Sequence, residues 1–456
     1  MTFQVEFQAV VFAAGKGSRM SEITAGKPKC LLPIGSKPLV WYPLHKLQTA
    51  GFSDVILIVL ENQKTEIQSA LERSDLDLKI DYVAINDNED LGTADSLRLI
   101  YDKIRSDVLV VSCDFISDVS LKGVLDKFRA HNASVASLFL HPQRSENVVV
   151  PGPKAKHKTE RDLIGIDEQT NRLVFLASAS DFETELSLPT NLLKKHTHVK
   201  IYSNLVDSHV YVLKNWVVKF LKEESSFMSI KGELLPHIVK KQLSKPPKQM
   251  DTKESIVNVH DSGDIFAFAK EDELNLAIRG MSAYNDHIGD LKGAYHNDSI
   301  RCYAYIAPKD TFGVRINTLP AYWSVNAKIV DVWERVTHGK ELVLKSPNAV
   351  ILSNQVDNRS IIWDGTKLNE KTSFKNCIVG SNTEVSSFSR IFNSVVMNNV
   401  TIKEKVAIEN CIVCEGVTIE KGCQLKGCLV GSHHLIPEGS EYSSEVLTDS
   451  DRLMEF

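Results

Sequence analysis

Apolar positions along the chain follow three patterns in turn. From residue 8 to about 140, short runs of Val, Ile and Leu alternate with segments whose apolar residues recur at helical spacing. "QAVVFAAG", "DVILIVLE", "KIDYVAIN" and "DVLVVSCD" read as buried strands. Helices over "VWYPLHKLQTAGF", closing at Gly51, over "KTEIQSALERS" and over "TADSLRLIYDKI" separate them. "SLKGVLDKFRAHN" and "SVASLFLHP" add one more helix and strand. Strands apolar on both faces, alternating with helices, predict a mostly parallel sheet covered on both sides. From about residue 161 the pattern changes. "DLIGIDEQTNRLVFLA" reads as a hairpin, "VKIYSNLVDSHVYVL" as one or two strands, and "NWVVKFLKEE" and "GELLPHIVKKQL" as helices. The polar, proline-containing "SKPPKQMDTKES" (244–255) reads as a surface excursion.

The C-terminal quarter repeats every 17 residues. Ile362, Leu368 and Phe374 are followed by Val379, Val385 and Ile391, then Val396, Ile402 and Ile408, then Val413, Ile419 and Leu425, then Val430 and Ile436. The spacing of six, six and five predicts three short strands per turn, one inward residue on each, and coils stacked into a triangular parallel β-helix. The register also bears on Cys411 and Cys414, whose spacing admits a zinc site. Cys377, Ser394, Cys411 and Cys428 share one column of the repeat, beside Asn376, Asn393 and Asn410. Small corner residues and an asparagine ladder are the expectation there, rather than metal. Just before the repeats, Tyr322, Val325, Ile329, Val332 and Val336 form one helical stripe, expected to pack between two domains.

Composition narrows the class. The chain has 456 residues, enough for two or three domains, with 43% hydrophobic and 24% charged residues, as in an ordinary globular protein. The net charge of −5 argues against general nucleic-acid binding, and the basic "KKQLSKPPKQ" reads as solvated linker. No signal peptide and no apolar run long enough for a membrane span is read. Eight cysteines without a secretion signal suggest reduced thiols in the cytosol.

Candidate chemistry starts at "AAGKGSRM" (13–20), a glycine loop after the first strand. It fails the P-loop pattern and half-matches the dinucleotide fingerprint, with Met20 in place of the third glycine. Glycines let backbone N–H groups approach phosphate, and nearby cations neutralise it. Gly15, Lys16, Gly17, Ser18 and Arg19, followed by Lys29 and the run Leu31, Leu32, Pro33, resemble the signature of sugar-phosphate nucleotidyltransferases. "LGTADSLR", with Gly92, Thr93 and Ala94, resembles their base-binding loop, and "VLVVSCDFISD" their strand ending in a metal-binding aspartate, here Asp114. The resemblance implies that Arg19 and Lys29 face phosphates, and that members often carry a left-handed β-helix. Three departures stand out. The family's second aspartate, in G-Y-W-x-D-[IV]-G, has no match in "HDSGDIFAFAKEDELNLA" (260–277). Its Glu-Lys-Pro is replaced by "ASASDF", and Cys113 stands where a glycine is common. No catalytic residue, metal or cofactor is therefore assigned. The resemblance implies a vestigial nucleotide site at Gly15, Lys16, Gly17, Ser18, Arg19, Lys29, Gly92, Thr93, Ala94 and Asp114.

The whole chain resembles the gamma subunits of eukaryotic translation initiation factor 2B, on "FQAVVFAAGKGSRM", "KPLVWYPL", "LGTADSLRLIY", "VLVVSCDFISDV", "SLKGVLDKFRAHNAS", "RDLIGID", "LVDSHVYVLK", "IRCYAYI" and the ending "DRLMEF". The resemblance implies an α/β nucleotidyltransferase-like (Rossmann-like) domain over 1–250, a connecting segment with helices over 251–345, a left-handed β-helix of hexapeptide-type repeats over 346–442 and a tail over 443–456. It implies a non-catalytic regulatory subunit of a cytosolic hetero-oligomeric guanine-nucleotide exchange factor for translation initiation factor 2. Its partners would be a catalytic epsilon subunit and the other subunits, with no direct nucleic-acid or membrane contact. About twenty residues follow the last repeat, so a helical exchange domain is not expected here. The rival expectation is an active nucleotidyltransferase of the GDP-mannose or ADP-glucose type, against which the missing second aspartate and Glu-Lys-Pro both count.

Overall fold

The computed structural model describes residues 6–87, 89, 91–143, 149–153, 161–182, 186–244, 264–270 and 298–448. The excursion expected over 244–255 falls outside them, apart from Ser244.

Seven strands form the first sheet: β1 (Phe7–Phe12), β2 (Asp54–Leu60), β3 (Lys79–Ile85), β4 (Asp107–Ser112), β5 (Val135–Leu140), β6 (Val206–Leu213) and β7 (Cys302–Ile306). Their order is β7-β5-β6-β4-β1-β2-β3. Every neighbouring pair is parallel except those made by β6, which runs antiparallel to both β4 and β5. Each β1 residue has a side, because successive side chains alternate across a strand. Val10 joins the apolar layer containing Ile58 and Val110, while Ala9 and Val11 join the opposite layer with Leu57 and Leu109. Both faces are buried, as the continuous apolar runs predict. The hairpin expected after residue 161 is present as Asp162–Asp167 against Leu173–Ser178, with Val199–Tyr202 completing a small antiparallel sheet.

The 17-residue register appears as three six-stranded parallel sheets, each strand pairing with the one 17 positions on, as Ile391 does with Ile408 and Ile402 with Ile419. The fourteen inward positions from Ile362 to Ile436 are all buried. A fully buried Val, Leu or Ile contributes roughly 1.5–3 kcal/mol, so the column is the main stabiliser of the coils. The corners are made by left-handed residues: Asn376, Asn393, Asn410 and Gly427 in one column, and Gly365, Asn382, Asn399, Gly416 and His433 in another. Asparagine tolerates that conformation where most side chains do not. The asparagine ladder is partial. Asn376 donates to Asn393 (3.2 Å), but Asn410 turns to Glu409.

Two boundaries differ from the sequence reading. β7, from the expected connecting segment, completes the first sheet, and the coils run on past residue 442 to the strand Val446–Leu447. The stripe helix spans Leu319–Val336 and lies between the two domains, in one cluster with Met20, Ile23 and Leu32 on one side and Ile361, Ile378 and Val395 on the other. Trp333 is buried in the same cluster, with Val332 half-buried against it. One outer face of the β-helix is thus apolar and covered by the rest of the chain.

Candidate functional site

The chain turns sharply after β1. Gly17 has φ 75°, and its carbonyl accepts from the Met20 N–H (2.8 Å) and the Thr24 hydroxyl (3.2 Å). A Cβ there would lie 2.8 Å from Thr24 Cγ2, so glycine is required on both counts. At Gly15 an added Cβ would meet nothing within 4 Å. Lys16, Ser18 and Arg19 are exposed, while buried Met20 anchors the end of the turn. The following segment meets the β-helix. Lys27 pairs with Glu415 (2.6 Å), and the Gly26 Cα has room for no side chain against Ser432.

Asp114 lies just past β4, at the carboxyl end of the parallel strands. It is 1% exposed, and both its oxygens are taken. Lys29 Nζ lies 2.5 Å from Oδ2, and Arg315 Nε lies 3.1 Å from Oδ1. Arg315 arrives by backbone pairing. The strand Gly313–Arg315 runs antiparallel to Phe115–Ser117, with Arg315 opposite Phe115, and the Ile316 N–H donates to the Asp114 carbonyl (2.8 Å). Arg315 Nη1 also donates to His209 Nε2 (2.7 Å). His209 sits in a register shift of β6 with φ 53°, and its N–H donates to Asp207 Oδ1, whose Oδ2 accepts from the Tyr211 hydroxyl.

Electrostatics follow from this packing. Burial alone would raise the Asp114 pKa, but Arg315 and Lys29 outweigh it and hold the carboxyl well below the usual range. Burial, reinforced by Arg315, pushes His209 well down, which keeps its Nε2 an acceptor. Burial pushes Asp207 up and the Cys113 thiol up to about 12, so that cysteine is inert. A magnesium ion, which needs several oxygens in octahedral array, does not fit here: each Asp114 oxygen already faces a cation. Asp264, in the stretch compared with the family's second aspartate, instead caps the short helix Ile265–Phe268 by accepting from the Phe266 N–H (3.1 Å).

Lys29 and Asp114 are therefore joined, and Gly17 lies against Lys29. Gly92, Thr93 and Ala94 are held by other partners. They open the helix Thr93–Leu99, and the Ala94 N–H donates to the Met228 carbonyl (2.8 Å). The Thr93 hydroxyl accepts from the Ile230 N–H, and the Gly92 N–H donates to Asp95. Arg98 fixes this arrangement by donating to the carbonyls of Leu221, Glu224 and Phe227. Sequence reading missed Arg315, His209 and Asp207. The one hint was an arginine inside an otherwise apolar "FGVRI".

The two cysteines of the C-x-x-C have separate settings. Cys411 accepts from the Cys428 N–H in the corner column, whereas Cys414 faces the Glu22 carbonyl. Among the described residues, no group of three or more His, Cys, Asp or Glu is placed to hold a metal, and no helix is long and apolar enough to cross a membrane.

Comparison with known proteins agrees with both halves. Residues 8–250 match the nucleotidyl transferase family, and residues 342–441 match the eIF2B subunit epsilon LbH domain, a left-handed β-helix. The translation initiation factor eIF2B subunit gamma of Schizosaccharomyces pombe is 30% identical over 376 residues, 81% of this chain and 73% of that protein. The chain belongs to the eIF2B gamma-subunit family. The gamma subunit of Caenorhabditis elegans is 35% identical over 52% of this chain and 59% of its own. That of Dictyostelium discoideum is 26% identical over 84% and 89%. Within the eIF2B gamma family, then, this chain has a glycine turn at Gly17 against Lys29, and Lys29 and Arg315 both pair with the buried Asp114 carboxylate.

Proposed function

We propose that the chain is a non-catalytic regulatory and structural subunit of a cytosolic guanine-nucleotide exchange factor for translation initiation factor 2, paired with an epsilon-type subunit that carries the exchange activity. The observation that carries the non-catalytic reading is the double ion pair at Asp114. Nucleotidyl transfer needs charge neutralised on the reacting phosphates by a metal clamp. Here the carboxylate that would grip the metal is saturated by two cations of its own chain, and Asp264 is spent on a helix cap. The match of residues 342–441 to an epsilon-type domain supports pairing between chains of like architecture, through an interface well over about 2,000 Å², the scale of permanent complexes.

The test is fluorescent GDP release from initiation factor 2, measured with the epsilon-type subunit alone, this chain alone, and both. The expected result is no release by this chain, release by its partner, and faster release by the pair, which co-elutes on gel filtration. Equal rates with and without this chain, together with separate elution, overturn the proposal.

A further inference from the structure

We propose that the cleft where the helix Leu319–Val336 meets the β-helix is a binding site for an uncharged planar lactam, a flat ring system with a carbonyl and an N–H side by side on one edge. The cleft is lined by none of the residues around Asp114, and the inference does not rest on the regulatory reading. Its volume is about 300 Å³, the lower end of the range for small-molecule sites. One wall is the helix, where Trp323, Ala327 and Val330 stand four and three residues apart and so share a face. The other wall is Ile378 and Val395, on the covered apolar side of the coils, with Asn376, Asn393 and Asn410 on the adjoining corner. Seven helical residues rise about 10.5 Å and two coil steps about 9.6 Å, so the walls match in length. An extended peptide spans that length in about three residues, too few to anchor a protein segment, which favours a small molecule. Ala327 and Val330 are half-buried and Asn393 is exposed, so the cleft is open to solvent.

The asparagines supply the polar edge. Asn376 Nδ2 donates to Asn393 Oδ1 (3.2 Å), the first step of a ladder. The next step is missing, because the Asn410 amide turns to Glu409. Among the described residues, that break leaves Asn393 Nδ2 and Asn410 Oδ1 without a protein partner, one coil apart and both on residues that line the cleft. Left-handed backbones, φ 45° and 52°, set the direction in which both side chains leave the corner. A lactam carbonyl would accept from the first amide and the lactam N–H would donate to the second, bridging the break as another amide would. Asn326 and Ser394 offer no competing edge, since their polar atoms are spent on backbone groups. Charge excludes an ion. Arg359, the one charged residue on the lining, pairs with Asp331 (2.7 Å). Nearby Asp357 accepts from the Ser360 hydroxyl and the Asn376 N–H, and Glu409 pairs with Lys426 (3.5 Å). Apolar walls with a neutral polar edge suit a neutral ring.

Calorimetry on the full chain tests this with isocarbostyril, a bicyclic lactam, and two relatives. Isoquinoline has the same rings without the carbonyl and N–H, and N-methylisocarbostyril has its donor capped. Isocarbostyril is expected to bind with a Kd of about 100 μM or tighter, ordinary for a ligand of its size. Both relatives should bind at least about tenfold more weakly, the scale of one hydrogen bond. The lactam should also raise the melting temperature, because it binds only the folded chain. Ala327→Phe should fill the cleft and abolish binding. Asn410→Gly should weaken the lactam about tenfold and leave isoquinoline unchanged. Glycine is tolerated there, since Gly427, the next residue in that column, already has the left-handed backbone. If Ala327→Phe does not fold, the asparagine variant and the three probes decide alone. No binding of isocarbostyril at millimolar concentration overturns the proposal. So do equal affinities for the three probes, binding that survives Ala327→Phe, or an Asn410→Gly variant with the parent's affinity. None of these outcomes bears on the GDP-release assay, which tests the regulatory reading separately.

Discussion

The indole rings of Trp41 and Trp333 lie parallel across the seam between the first domain and the long interdomain helix, 6.1 Å apart at 8°. Beside them, Asp75 accepts from Trp41 Nε1 (2.9 Å), Lys37 (2.7 Å) and Lys340 (2.6 Å), and both lysines sit over the Trp41 ring. Apolar burial and an ionic clamp thus act on the same ring, with different dependence on salt. Trp333→Ala should cost about 3 kcal/mol or more, as large aromatic truncations in cores do. Asp75→Asn should cost about 1 kcal/mol or less, because the clamp is half-exposed and screened, and that loss should shrink in high salt. Urea midpoints at low and high salt check both. A Trp333→Ala variant as stable as the parent would mean the seam contributes little.

Inside the β-helix, Ile408 is 1% exposed, between Ile391 and Leu425 of the neighbouring coils. Ile408→Asp would bury an unpaired carboxylate and should cost about 3 kcal/mol or more. Thr401→Lys, on the outward side of a coil and opposite Glu384, should stay within about 0.5 kcal/mol of the parent. Comparable melting losses in the two variants would contradict the inward–outward assignment.

The β-helix was legible because its order is periodic in one dimension: each coil contacts the next at a fixed offset, so the repeat length is itself the contact map. The parallel sheet was legible from Val10, Ile56, Val110 and their neighbours, which leave no polar face. The antiparallel direction of β6 and the membership of β7 were not, since strand pairing between distant segments leaves no local mark. The same limit hid the core of the site. Lys29 and Asp114 were visible as residues, but the second cation on the carboxylate, Arg315, is delivered by a ladder with Phe115–Ser117 from far along the chain. In the asparagine columns the left-handed backbone φ is a larger constraint than the side-chain ladder.

His45 is 6% exposed, its ring tilted against Trp41 (4.5 Å between ring centres), and near Lys340, Lys46 and His338 as well as Asp75. Burial, then Lys340, lowers its pKa from 6.5 to about 4. Between those values the unfolded chain takes up a proton that the folded chain refuses, so stability falls as pH drops through that window. The loss attributable to His45 between pH 7 and pH 5 should be about 2 kcal/mol. His45→Gln should flatten the pH dependence of the urea midpoint by that amount, leaving the part due to His209, His237 and His338, which are shifted the same way. An unchanged slope would place the His45 ring in contact with water.

A Cβ at Gly92 would lie 2.1 Å from the Met228 carbonyl oxygen, which holds the Ala94 N–H. Gly92→Ala must therefore displace the 228–230 segment or strain the helix start, at a cost of about 2 kcal/mol or more. Faster hydrogen exchange at Ala94 and Ile230, alongside a lower melting temperature, is the expected signature. Gly15→Ala, where the added methyl meets nothing, should leave both unchanged. Protection at Ala94 that survives Gly92→Ala would mean the loop is not locked by Met228.

With Mg²⁺, any common nucleoside triphosphate and hexose 1-phosphates, the purified chain should release no pyrophosphate above background. In-line transfer requires charge stabilisation on both attacking and leaving oxygens. At this site the carboxylate faces Lys29 and Arg315, Asp207 is bound to Tyr211 and the His209 N–H, and Asp264 is a helix cap. Removing the guanidinium with Arg315→Ala should therefore not create activity either, since one released carboxylate oxygen still leaves Lys29 on the other and supplies no second ligand. Pyrophosphate release measured by a coupled phosphate assay separates the alternatives. Turnover in the parent that Asp114→Asn abolishes would show that the ion pairs open to admit a metal, and that the chain is an enzyme.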